Sequence, residues 1–184
     1  RTSRHWIRFL SGAGLPAWIW DDVRDRVGAS YTAQVGPRPE GGAAGLRDYA
    51  EAAVGAMPAG QVFLVAHSAG GVVGAEVAGL APERVAGFLA VSAIVPPPGG
   101  SFITTMPIPN RWVLSAAMRL AGTRPPDSAI RKTLANGLDE AIVNRLVADF
   151  VPESQGLYRD RIGPRPWLGR RGYAATARDR QLAP

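Results

Sequence analysis

Residues 61–80 read QVFLVAHSAGGVVGAEVAGL. Gln61 to Ala66 is a continuous apolar, β-branched run, the pattern of a central strand buried on both faces. Ala69 to Leu80 is apolar almost all round through Val72, Val73, Val77 and Leu80, the pattern of a helix packed within a domain. A strand that turns directly into a helix brings backbone segments close together, and Ala66, Ala69, Gly70 and Gly71 are small enough to allow it. Such a turn lifts the Ser68 hydroxyl out at the end of the strand, where the helix N–H groups and dipole favour negative charge. Ser68 is thereby a candidate nucleophile. The alternative is an ordinary strand–helix turn with a capping serine.

Outward from this stretch, strands and helices alternate, which predicts a mostly parallel sheet with helices on both faces. Trp6 to Leu10 reads as a first strand and Ser11 to Gly14 as a loop. Pro16 and Ala17 open a helix through Ile19, Val23 and Val27 that Gly28 stops. Ser30 to Val35 is a second strand. Leu46, Tyr49, Ala50, Ala53, Val54 and Met57 give an amphipathic helix over about Ala43–Met57. Arg84 to Val91 is the next buried strand.

After Pro96-Pro97-Pro98-Gly99-Gly100 the alternation stops and helix patterns follow one another. Asn110, Asp127 and Asp139 are candidate N-caps. The third helix carries Ile142, Val143, Leu146, Val147 and Phe150 on its inner face. Residues 96–161 read as a helical cap, set into a core made of residues 1–95 and 162–184. Gly172 to Ala177 is one more strand, giving a single domain with about five strands in the order second, first, third, fourth, fifth.

The chain has 184 residues, 46% hydrophobic and 20% charged, the balance of an ordinary globular domain. It has no cysteine, which excludes disulfides and thiolate metal sites and fits a reducing compartment; a cytoplasmic location is expected. The net charge of +6 comes from 20 arginines and the single Lys132. These are scattered among acids except over Arg159–Arg180, so neither a nucleic-acid nor a membrane-surface partner is expected. No apolar run is long enough to span a bilayer.

A serine that attacks a carbonyl needs donors for the oxyanion. The Ala69 N–H, next in the chain, is one. The second should come from the loop after the first strand, Ser11-Gly12-Ala13-Gly14, where glycine lets the backbone approach closely. A plain glycine-rich turn would read the same way. Trp18, Trp20, Met106, Trp112 and Met118 are candidate walls of an apolar acyl pocket, and equally candidates for core.

The chain resembles the α/β-hydrolase superfamily, most closely its small branch of esterases and hydroxynitrile lyases. The resemblance rests on Phe9-Leu10-Ser11-Gly12-Ala13-Gly14 with Ala17-Trp18-Ile19-Trp20, on the turn at Ser68, on Val91-Ser92-Ala93, and on Arg178-Asp179-Arg180-Gln181-Leu182-Ala183-Pro184. It implies a triad ordered serine, acid, histidine. Ser68 and Asp179 match the first two, and the N–H groups of Ala13 and Ala69 match the oxyanion donors. The family loop often has histidine where Ser11 stands. His67 is expected to be a packing residue. His5 precedes the first strand, roughly 15–20 Å from the site for a five-residue strand. The resemblance thus implies a catalytic histidine beyond residue 184, with a final strand and helix of the family fold. It also implies a small ester or amide substrate and no cofactor or metal, with little activity in these 184 residues alone. The other readings are a lyase on the same fold and a non-catalytic binding module. Lyases of this branch place polar residues at the positions of Gly12 and Ala69, which favours a hydrolase here.

Overall fold

The computed structural model describes residues 5–39 and 42–176. Five parallel strands form one sheet: β1 (His5–Leu10), β2 (Tyr31–Val35), β3 (Val62–Ser68), β4 (Val85–Ala93) and β5 (Arg170–Ala174), in the order β2-β1-β3-β4-β5. The expected strand order is the observed one. The last strand begins two residues before its expected start, because Arg170 and Arg171 pair along β4 while their side chains stay in water.

The helices of the first half are α1 (Asp21–Val27), α2 (Leu46–Gly55) and α3 (Gly70–Leu80). The first is shorter than its apolar spacing suggests, since Ala17–Trp20 winds as a 3-10 turn before it. Val62, Leu64 and Ala66 alternate onto the face covered by α2 and α3 and are essentially inaccessible. Phe63 and Val65 face the other way, toward α1, and remain half-buried, as they join Ile7, Phe9 and Trp20. The expectation that this strand is buried on both faces therefore holds for one face only. Leu89, on the same open side, is 40% exposed.

Close approach of α3 to the sheet depends on its glycines. A Cβ on Gly70 would lie 2.2 Å from the Leu10 carbonyl oxygen, and one on Gly71 would lie 2.4 Å from that of Ile94. The first turn of α3 is thus wedged between the ends of β1 and β4.

Residues 96–161 contain α4 (Asn110–Ala121), α5 (Asp127–Ala129), α6 (Glu140–Asp149) and α7 (Gln155–Arg159). None of the three expected caps makes a side-chain capping bond. Pro109 and Pro126 take the cap positions of α4 and α5, and Asn110 and Asp127 are the first helical residues. The Asp127 carboxylate is turned to Arg124 at 3.0 Å. Asp139 does occupy the cap position of α6. The second expected helix is a single turn continued by a π turn over Ile130–Leu134. Val143, Leu146, Val147 and Phe150 are buried as the pattern requires, with Leu15, Ile130 and Ala135, whereas Ile142 is 40% exposed at the edge of that stripe. Among the described residues no helix is long and apolar enough to cross a membrane.

Candidate active site

Ser68 ends β3 at the C-terminal edge of the sheet with φ of 51°, a left-handed conformation uncommon outside glycine. The next residue, Ala69, caps α3. The Ser68 carbonyl accepts from the Ile94 N–H at 3.0 Å, which pins the turn to the end of β4. The side-chain oxygen of a residue held this way projects from the sheet edge, beside the first N–H groups of a helix.

Gly12 closes on this turn from β1. A Cβ there would stand 3.0 Å from the Ser68 Cβ and 3.2 Å from His67 Nδ1. Ala13 and Ser68 line one cavity of about 420 Å³. Its other walls are mostly apolar, with Leu15, Phe102, Leu114, Met118, Phe150 and Tyr158 prominent. Burial, with the nearby Glu153 carboxylate, pushes the Tyr158 phenol well above its ordinary range. His5 is exposed at the opposite end of the sheet.

Of the expected wall residues, Met106 and Met118 face the cavity and three tryptophans do not. Trp18 packs beside α6, donating Nε1–H to Asp149 at 2.8 Å under the guanidinium of Arg145. Trp20 is buried against Phe9, ring centroids 4.4 Å apart, and donates to Ser11 Oγ at 2.8 Å. That bond gives Ser11 a structural task of its own. Trp112 is 64% exposed, because Leu114, Ala117, Met118 and Ala121 take the inner face of α4 and position 112 falls outside that stripe.

Asp179 lies outside the described residues. Thr176, three positions earlier, is joined to the C-terminal end of β4, its N–H reaching Ser92 Oγ at 3.3 Å.

The Gly12–Leu15 loop is gripped from residues 150–153. The Gly14 N–H donates to Glu153 Oε1 at 3.0 Å, and the Gly14 carbonyl accepts from the Val151 N–H at 3.1 Å. Gly14 has φ of +74°, and a Cβ there would fall 2.0 Å from Phe150 Cζ. Gly14→Ala is therefore expected to cost roughly 1–2 kcal/mol for the left-handed backbone and about 1–3 kcal/mol for overpacking. Urea melts check this. Adding Phe150→Leu should recover the overpacking share only, and a Gly14→Ala chain as stable as the parent would contradict the packing.

Of the residues that the sequence singles out, Ala13, Ser68, Met106 and Met118 line one cavity; Arg38, Tyr49 and Glu153 beside the loop are not among those it singles out. No short motif marks them, although a carboxylate within the Pro152-Glu153-Ser154 segment that follows a buried Phe150 is a hint.

A parallel sheet whose central strand ends in a strained serine before a glycine-opened helix defines an α/β-hydrolase type of site. The chain belongs to the alpha/beta hydrolase family, which it matches over residues 9–184. Its fold is similar to that of an extracellular alpha/beta-hydrolase from a Paenibacillus species, with a TM-score of 0.81 at 16% identity over 93% of this chain and 77% of that one. A methylesterase from Arabidopsis gives 0.73 at 17% identity, over 97% of this chain and 80% of that one. A mutant polyneuridine aldehyde esterase also gives 0.73, at 18% identity, over 97% and 82%. No curated protein matches the sequence.

Proposed function

We propose that this chain carries the nucleophile and oxyanion hole of a serine hydrolase acting on small esters with an apolar acyl or alcohol group. The observation that carries this reading is Ser68 itself, strained at φ 51° and opening on a largely apolar cavity of about 420 Å³. A side chain held in the left-handed region at a strand–helix junction is a cost that a merely structural turn could shed by using glycine. The esterase and methylesterase among the structural neighbours are consistent with the reading.

In the proposed reaction a histidine takes the Ser68 proton, and Asp179 orients that histidine. Ser68 Oγ adds to the carbonyl carbon, and the N–H groups of Ala13 and Ala69 hold the oxyanion. The tetrahedral adduct collapses, expelling the alcohol, which receives the proton from the histidine. Water then releases the acid by the same sequence. No metal or cofactor enters these steps. A Cβ at Gly12 would face Ser68, so glycine there leaves no polar side chain to steer a lyase proton transfer. The cysteine-free composition supports a cytoplasmic location.

The test of the cavity as the acyl site is chain-length selectivity. With imidazole supplied in solution as the base, Ser68-dependent release of p-nitrophenol should favour the hexanoate over the acetate by about tenfold or more, since each buried CH₂ contributes about 0.8 kcal/mol. Met118→Trp, which fills the cavity, should remove that preference. Equal rates for both esters, unmoved by Met118→Trp, would reject the cavity as the substrate site.

A further inference from the structure

A second cavity of about 350 Å³ adjoins the Gly12–Leu15 loop at Ser11 and Leu15; Arg38, Tyr49 and Glu153 line it and Ser68 does not. Glu153 is 6% exposed. Its Oε1 receives Arg38 Nε at 2.6 Å and the Gly14 N–H at 3.0 Å, and its Oε2 receives the Tyr49 hydroxyl at 2.8 Å. The Tyr49 oxygen in turn accepts the Ser154 N–H at 3.0 Å. Burial raises the Tyr49 phenol above its ordinary range, so it remains a donor. The other end of the Arg38 fork donates to the carbonyls of Gly12, at 3.2 Å, and Leu15, at 2.5 Å.

The Gly12 carbonyl belongs to the same peptide unit as the Ala13 N–H. In a trans peptide the two point in opposite directions. Drawing the carbonyl toward Arg38 therefore turns the Ala13 N–H away from Arg38; Ala13 and Ser68 line the 420 Å³ cavity together, and Arg38 takes no part in its walls. Glu153 holds the Arg38 fork and, through Gly14, the following peptide unit. A donor fixed before the reaction needs no reorganisation as charge develops, which is where such donors gain their effect.

We propose that Arg38 and Glu153 are positioning residues for the oxyanion hole, fixing the Gly12–Ala13 peptide plane so that the Ala13 N–H faces the space beside Ser68. This rests on reading Ala13 as an oxyanion donor. Neither side chain touches the substrate. Because Glu153 comes from the segment after α6, the hole is complete only when that segment is docked.

The test uses the full chain labelled with ¹⁵N and two probes of one shape, 4-phenylbutyrate and 4-phenylbutyramide. In the parent chain the carboxylate should shift the Ala13 and Ala69 amide resonances further than the neutral amide does. In Glu153→Gln the affinity for the carboxylate should fall by about tenfold, with the neutral probe unchanged within about twofold. The sign is diagnostic, because deleting a nearby negative charge would by itself strengthen anion binding. Arg38→Lys keeps the charge but cannot span Glu153 and two carbonyls, so it should reproduce the loss. If either variant weakens both probes equally, or Glu153→Gln leaves the carboxylate unaffected or tighter, the pair does not position the hole and the proposal is wrong. If the carboxylate fails to move Ala13 and Ala69 in the parent chain, the oxyanion assignment itself fails and the proposal falls with it.

Discussion

Replacing Gly70 by valine should leave a chain that does not fold cooperatively, or one destabilised by about 4 kcal/mol or more. The added Cβ would meet the Leu10 carbonyl oxygen at 2.2 Å and that of Ser11 at 2.8 Å. Both are main-chain atoms, one on the last residue of β1, which pairs with Ala66 of β3, and one on the residue after it, so neither can rotate away as a side chain would. Relief would require α3 to lift from the sheet, uncovering Val72 and Val77, which are fully buried. It would also draw Ala69 away from the Gly12–Ala13 loop and dismantle the proposed oxyanion hole. Gly55 is the control, since a Cβ there meets nothing within 4 Å. Gly55→Ala should be neutral or stabilising by about 0.4–1 kcal/mol. Circular dichroism on both variants decides the matter, and a Gly70→Val chain that melts like the parent would show that the helix does not approach the strand as described.

The same contacts explain why this part of the fold was legible. An unbroken apolar run ending in small residues has few structures open to it, and β3, the turn at Ser68 and α3 follow from local pattern alone. Legibility falls where burial is one-sided or the element is short. Arg170 and Arg171 start β5 at the exposed edge of the sheet, where alternation carries no hydrophobic signal, so the strand was expected two residues late. The five residues of α7 are too few to show a helical period and went unread. Asn110 and Asp127 resemble N-caps, but Pro109 and Pro126 precede them and take that position. At the site, Trp18, Trp20 and Trp112 show the limit of composition. Hydrophobic size says that a residue will find cover, not which cavity it will face. The Arg38–Glu153–Tyr49 cluster is unreadable for a different reason, since Glu153 meets Tyr49 across 104 positions of sequence.

The second large effect is on Ser68. If it forms the acyl intermediate, Ser68→Ala should remove acyl transfer to the protein altogether; loss of the serine in a well-studied serine protease lowers kcat by about 2 × 10⁶. Stability should move the other way for Ser68→Gly, by up to about 1 kcal/mol, because glycine adopts the observed φ of 51° without strain. A catalytic group held against its conformational preference trades stability for placement.

Neither His5 nor His67 is assigned as a base, so deacylation should be slow as well as acylation, and an adduct once formed should persist. The most direct test is therefore prolonged incubation of the chain with p-nitrophenyl hexanoate, followed by intact-mass measurement and peptide mapping. One hexanoyl group is expected, located on Ser68, formed in the parent chain and absent from Ser68→Ala and Ser68→Gly. No adduct on Ser68, acylation at another residue, or rapid turnover that survives Ser68→Ala would contradict it.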